Sequence, residues 1–454
     1  MEDSNIVRAL LAAKKLPTIE NINDFKQKQL VSVNKKAETQ KGASVEILTN
    51  IPYSGQKIEP SHFVKYFRNR FIFYRNLFLA RPELSNICSI SKLQSNEKAV
   101  IVASIFDMKK LPTGSIKLIL EDLTGQVQAI ISSKNQDLIA LAKSFTLDEI
   151  LAFKGTFGKG TFFVDEIIWP DIPPKRRATV EEEVYLVCAS DLHIGSNKFL
   201  QKPYEKFVKW LNGKYGNAKQ KELAKKVKYV VFTGDIVDGI GIYPGQEKEL
   251  TITDIYKQYD SAAKFLSQIS SEINIIIQPG NHDAIRLCEP QPIYWKDLAA
   301  PLYDLPNVFL APNPSYVRIH AIDGPGVELL LYHGYSFDYF VDAIEALREA
   351  GGYSAADKLW EFLLKRRHLA PTYGSTLALP LETDPLVINK VPDIAISGHI
   401  HKSKIGQYRG VLTISSSCFQ DTTTFQLRMG HTPTPGKIPI VNLKTGAAKT
   451  LLFA

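Results

Sequence analysis

Tyr185-Leu186-Val187-Cys188-Ala189-Ser190 runs straight into Asp191-Leu192-His193-Ile194-Gly195. A short apolar run that ends in a polar, histidine-bearing loop reads as a buried strand carrying functional side chains at its carboxyl end. The pattern recurs. Tyr229 to Thr233 ends at Gly234-Asp235-Ile236-Val237-Asp238-Gly239, and Ile273 to Gln278 ends at Pro279-Gly280-Asn281-His282-Asp283. Val327 to Tyr332 ends at His333-Gly334, and Asp393 to Ser397 ends at Gly398-His399-Ile400-His401. Asp191 and Asp235 lie 44 residues apart, and Asp235 and Asn281 lie 46 apart. Such spacings leave room for a helical crossover between parallel strands.

Each loop alone would be an ordinary turn, cap or core histidine. Together they place five of the nine histidines where predicted strands end. Strand ends on one edge of a sheet converge in space. Carboxylate, imidazole and amide oxygen suit hard or borderline divalent ions. No cysteine belongs to the set, which argues against a structural zinc site. A pair of ions bridged by one carboxylate, each with an open position, is the chemistry of phosphoester hydrolysis.

The ordered set Asp-x-His, Gly-Asp-x-x-Asp, Gly-Asn-His-Asp, His and Gly-His-x-His resembles the calcineurin-like metallophosphoesterases, over about residues 184–425. The resemblance implies an α/β two-sheet sandwich with flanking helices. It implies Asp191, His193 and His401 on one metal, Asn281, His333 and His399 on a second, and Asp235 bridging them. His282 would be the general acid or phosphate-polarising residue, oriented by Asp283, and Asp238 would support from behind the ligands. The ions would be two divalent metals: manganese first, with iron, zinc or magnesium as alternatives.

Upstream, the pattern changes. Ala99 to Ile105, Ile116 to Glu121, Val127 to Ile131, Ile150 to Thr156 and Phe162 to Trp169 are β-rich, with a helical stretch at 137–145 after the third. Five strands with a helix between the third and fourth give the order of a five-stranded OB-fold barrel. Before it, Phe63, Tyr66, Phe67, Phe71, Tyr74 and Phe78 recur at helical steps, with Ser61 as the expected cap and Lys65, Arg68, Arg70 and Arg75 on the other faces. Residues 1–55 read as a flexible arm, with a short helix near Ile6 to Ala13. The expected domains are therefore the arm 1–55, an aromatic-basic helical segment 56–83, the OB fold 84–173, a linker 174–183 and the phosphoesterase 184–454. Pro173-Pro174-Lys175-Arg176-Arg177 reads as a solvated hinge.

This domain order is similar to that of the small subunits of archaeal D-family DNA polymerases, over about residues 50–454. It also resembles the B subunits of eukaryotic replicative polymerases, which have lost the ligands that stand intact here. The resemblance implies a 3′→5′ proofreading exonuclease. Its partners would be a large catalytic polymerase subunit in a heterodimer, DNA with a single-stranded 3′ end, and a sliding clamp reached through the complex. Localisation would be cytoplasmic, at the archaeal nucleoid. No extra folded domain is expected ahead of the helix. Two other readings compete: a free-standing metallophosphoesterase acting on nucleotides or phosphoproteins, and a non-enzymatic polymerase scaffold.

Composition sets the outer limits. The 454 residues are 44% hydrophobic and 22% charged, an ordinary globular balance that excludes a largely disordered chain. No apolar run approaches the roughly 20 residues of a membrane span. A net charge of +8 favours a polyanionic partner. Residues 202–228 hold nine lysines against two glutamates, either a solvated helical face or a channel for phosphates. Cys88, Cys188, Cys288 and Cys418 form no CxxC motif and read as reduced thiols.

Overall fold

The computed structural model describes residues 43–51, 57–322, 324–428 and 430–454. The arm expected over 1–55 falls outside the described residues except at 43–51, and there the expectation is corrected. Val45–Ile47 forms strand β1, antiparallel to a strand of the C-terminal half, with Val45 opposite Ile319. A three-residue edge strand is too short to leave an alternating signal in a polar stretch.

Helix α1 spans Pro60–Leu79. Glu59, rather than Ser61, caps it. The Glu59 amide donates to His62 Nδ1 (3.0 Å) in a capping box, and Pro60 stands where its missing N–H costs nothing. Phe71, Tyr74 and Phe78 pack on Val100, Val102 and Ile150. Arg70, expected on an outer face, is on this buried one and reaches Asp384 at 2.6 Å.

Strands β2 (Ile87–Cys88), β3 (Glu97–Lys110), β4 (Ile116–Asp122), β5 (Gly125–Ile131), β6 (Ile150–Gly158) and β7 (Thr161–Ile168) follow. The sheet β3-β4-β5-β7-β6 closes through β3–β6 pairing, and helix α2 (Gln136–Ala142) lies between the third and fourth barrel strands. This is a five-stranded OB barrel. Ile101, Ala103 and Ile105 of β3 point into it, while Val100 and Val102 lie under α1. Burial on both faces explains the unbroken apolar run of β3. The basic bridge after the barrel is no free hinge. Lys175 pairs with Asp393 (2.7 Å), the Ala178 amide donates to Asp393 Oδ1, and the Val180 amide donates to the Leu443 carbonyl.

The remaining strands are β8 (Tyr185–Ala189), β9 (Val227–Phe232), β10 (Asn274–Ile277), β11 (Val308–Leu310), β12 (Ser315–Ile319), β13 (Val327–Leu331), β14 (Ile394–Ser397), β15 (Lys404–Tyr408), β16 (Val411–Ser415), β17 (Lys437–Asn442) and β18 (Ala448–Leu452). They form two six-stranded sheets, β11-β10-β9-β8-β17-β18 and β1-β12-β13-β14-β16-β15. Strands β8 to β11 are parallel neighbours, as are β13, β14 and β16. Leu186, Cys188, Tyr229 and Val231 of one sheet meet Leu329, Leu331, Ile394 and Ile396 of the other. The opposite face of the first sheet, Val187, Val230 and Phe232, packs on α3 (Gln201–Leu211) and α5 (Ile255–Leu266), with α4 (Ala218–Lys225) between those helices in the chain. Helix α6 is Lys296–Tyr303. Helices α7 (Phe337–Ala343), α8 (Glu345–Glu349) and α9 (Ala356–Arg366) cover the second sheet, and α10 is Thr424–Arg428. The result is a two-sheet α/β sandwich with flanking helices, as expected. Among the described residues, no helix is long and apolar enough to cross a membrane.

Candidate metal centre

The loops after β8, β9, β10, β13 and β14 meet at one edge of the sandwich. Their backbones are unusual. Asp191, His193, Asp235, His399 and His401 all take left-handed conformations, with φ of 51–68°. Each non-glycine residue in that region costs about 1–3 kcal/mol and persists where its surroundings impose it. The strain turns five donors inward. Glycines then allow close approach: a Cβ on Gly280 would stand 2.2 Å from Asp235 Oδ1, and one on Gly398 would stand 2.5 Å from Asp191 Oδ2.

Among the described residues three groups of donors result, the third being His193, Asp238 and His282. Candidate ligand atoms of Asp191, His193 and His401 lie within 4.8 Å of one another, as do those of Asp235, His333 and His399. In the first group His193 Nε2 faces His401 Nε2 at 3.1 Å, and His401 Nε2 is 3.4 Å from Asp191 Oδ1. In the second, His333 Nε2 is 2.9 Å from Asn281 Oδ1 and 3.3 Å from Asp235 Oδ2, and His399 Nδ1 is 3.0 Å from Asn281 Oδ1. Asp235 Oδ2 also lies 3.8 Å from His193 Nε2, so it stands between these two groups. All seven residues expected as ligands are brought together.

This donor set fits a cation. His333 Nδ1 is 2.7 Å from the Thr233 carbonyl, and the N–H that bond requires leaves Nε2 facing two oxygens. A lone pair against two acceptors needs a positive charge: a proton or a metal ion. Burial alone would lower the His333 pKa, yet the Asp235 carboxylate overrides it and pushes the group up to about 9. Asp235 itself, despite burial, is held well below the usual carboxylate range by His333 and His282.

The surrounding groups correct one expectation. Asp283 does not touch the His282 ring among the described contacts. Its Oδ2 accepts from the Asp235 and Gly280 amides (both 2.9 Å) and from Tyr294 Oη (3.1 Å), and its Oδ1 accepts from the Val237 amide. Asp283 therefore clamps two loops together. Burial and the nearby Asp235 charge push its pKa up to about 7. The His282 ring is held by Asp238, whose backbone carbonyl is 2.9 Å from Nδ1, while the Asp238 carboxylate meets His193 Nδ1 at 3.0 Å. Gln246 and Gln420 each donate to that carboxylate (both 3.0 Å). Asp338 escaped the sequence reading. It holds His399 Nε2 at 2.9 Å from the first turn of α7, with no motif to mark it.

The centre opens into a cavity of about 740 Å³, whose lining includes His193, Asp235, Asn281, His282, His399 and His401 as well as apolar residues such as Ile240, Ile242, Leu287 and Trp295. None of the lysines of 202–228 lines it. All but Lys228 lie exposed around α3 and α4, as a solvated face.

The family model for the B subunits of DNA polymerases alpha and epsilon matches residues 186–405. A DNA polymerase II small subunit of Methanothermobacter thermautotrophicus is 39% identical over 399 residues, covering 87% of this chain and 80% of its own. Its counterpart in Methanocaldococcus jannaschii is 38% identical over 387 residues, covering 84% of this chain and 63% of its own. The chain thus spans less than two thirds of the latter relative. An archaeal phosphodiesterase of known structure aligns with 59% of this chain and 99% of its own, at 14% identity and a TM-score of 0.29.

Proposed function

The chain belongs to the family of the archaeal DNA polymerase II small subunits, and from that premise we propose that it is a metal-dependent 3′→5′ exonuclease acting beside a large catalytic polymerase subunit. The observation that carries this reading is the pair of donor groups with Asp235 between them. Asp191, His193, His401 and Asp235 would hold one ion, and Asp235, Asn281, His333 and His399 the other. Two divalent ions so placed supply Lewis-acid charge for a phosphate and its attacking water. Manganese, iron, zinc and magnesium are all consistent with imidazole, carboxylate and amide donors.

The protein's own groups do the rest. Asp238 fixes the His193 ring through its carboxylate and the His282 ring through its carbonyl. A fixed tautomer with Nδ1 bonded leaves each Nε2 available, which is how outer groups orient metal-binding and proton-transferring histidines. His282 lies on the cavity wall, and its amide is tied to Asp235 Oδ1 at 2.8 Å. In its doubly protonated form it would carry a proton at Nε2 for the departing 3′-oxygen, Nδ1–H being kept by the Asp238 carbonyl. Asp283 keeps the 235 and 280 loops in register for this.

The test is single-turnover digestion of a 3′-mismatched primer, with metal content measured on the same sample. His282→Ala is expected to lose at least about a hundredfold in turnover while keeping both metals, since positioned proton transfer is worth about 10²–10⁴. Near-wild-type activity with metals bound would remove His282 from the reaction. Activity lost only together with metal would make it structural.

The large subunit would dock on the OB barrel, where Phe106, Met108, Leu123 and Phe163 are exposed, because the aromatic face of α1 is already used inside the chain. Deleting residues before 184 would also remove β1 and the Arg70–Asp384 pair, so a surface change is the cleaner probe. Phe106→Asp is expected to weaken co-purification with the large subunit and leave metal content intact. Unchanged co-purification would move the interface elsewhere.

A further inference from the structure

The cavity that holds the donor groups has a second wall of different chemistry. Ile240 and Ile242 come from the loop directly after Asp238, and Leu287 and Trp295 from the segment after Asp283. All four are large and apolar, and 36–47% of each is exposed. Single exposed hydrophobes need no explanation, but four gathered on one cavity do. The wall is fixed rather than loose. Gln258 binds both the amide and the carbonyl of Gly239 (2.9 and 3.0 Å), the Ile242 amide donates to Gln246 Oε1 (2.9 Å), and Trp295 stands at the N-cap of α6. Among the described residues, neither lysine nor arginine lines the cavity.

Resting on the nuclease reading above, we propose that this wall is the subsite for the nucleobase of the 3′-terminal nucleotide, with Trp295 as its stacking face. Among the described residues the cavity offers a phosphodiester no lysine or arginine. The metal donors account for the phosphate, and the remaining grip on a nucleotide must come from its sugar and base. A base has two π-faces that stack on aromatic and apolar side chains without any reading of its edges. A paired base inside a duplex has those faces covered by its neighbours. The wall therefore favours an unpaired, frayed 3′ end over a paired one. It would act on any mispair, because stacking is tolerant of base identity.

The full chain with Mn2+ would be given two short single strands that differ only at the 3′ end, one carrying thymine and the other an abasic tetrahydrofuran. Wild-type protein is expected to cut the thymine strand on the order of tenfold better in kcat/KM, as stacking on one aromatic face provides. Trp295→Ala should bring the ratio toward one, and Trp295→Phe should keep most of it. Binding of both strands, read by fluorescence anisotropy on His282→Ala, separates the two claims. If neither strand is cut but the thymine strand binds better and Trp295→Ala abolishes that preference, the subsite stands and the nuclease reading falls. Equal handling of both strands by wild type, or a preference that survives Trp295→Ala combined with Leu287→Ser, overturns the subsite and assigns the wall to a protein neighbour.

Discussion

Two regions of the chain bury charge and resolve it in two ways. Where α1 and the barrel meet the sandwich, each buried acid has a guanidinium. Arg70 meets Asp384 at 2.6 Å with side chains 5% and 1% exposed, and Arg366 meets Glu149 at 2.8 Å with side chains 2% and 1% exposed. At the sandwich edge Asp191, Asp235 and Asp238 are as deeply buried, yet no lysine or arginine is paired with them among the described residues; they face histidines. A charge sealed inside without a partner costs several kcal/mol. The first region meets that cost within the chain and is structural. The second faces its carboxylates with histidines, whose ring nitrogens can carry a proton or hold a metal ion. His368 and His333 show the same contrast. Both are buried beside an aspartate, but burial and the neighbouring Arg70 push His368 down, whereas Asp235, opposing burial, pushes His333 up to about 9.

The sharpest break would come from Asp235→Asn. Removing the carboxylate that stands between the donor groups is expected to lower metal occupancy at both positions and abolish activity. Elemental analysis decides it, and two ions retained per chain at unchanged affinity would end the bridging role. Next is Arg70→Met, which leaves Asp384 buried without its guanidinium. A loss of about 3–5 kcal/mol is expected, with metal content per folded molecule unchanged. Arg70 and His368 hold the Asp384 carboxyl far below its usual range against the pull of burial. A depressed carboxylate contributes its stability above the ordinary carboxylate pKa and loses it as the pH falls toward the depressed value. The difference between Arg70→Met and wild type in urea unfolding should therefore be larger at pH 7 than at pH 3. Metal loss from this variant at neutral pH would show that the two regions are not independent. The smallest effect is expected from Asp338→Asn, which removes the charge behind His399. Groups that orient metal ligands contribute about 10–100-fold in affinity. A metal titration should show weakening near the lower end, with turnover recovered at saturating metal.

Much of this was readable in the chain before any fold was built. The strand-then-histidine rhythm brought the loops that carry Asp191, His193, Asp235, Asn281, His333, His399 and His401 to one edge, because buried parallel strands deliver their carboxyl ends there; that these seven would hold metal was implied by the family resemblance, not by the rhythm. The barrel was readable from local signal as well: five β-rich runs with a helical stretch after the third. Arg70 was legible too and was misread, since it stands four residues from both Tyr66 and Tyr74 on the aromatic stripe of one helix.

Tertiary structure alone decided the rest. The edge strand Val45–Ile47, the hold of Asp338 on His399, and the division of labour between Asp238 and Asp283 all join residues that no local pattern connects. A strand of three residues and a single acid on a helix carry no periodicity. Their roles exist only once distant segments share one small volume, where the backbone amides that Asp283 clamps and the carbonyl that holds His282 come within bonding distance.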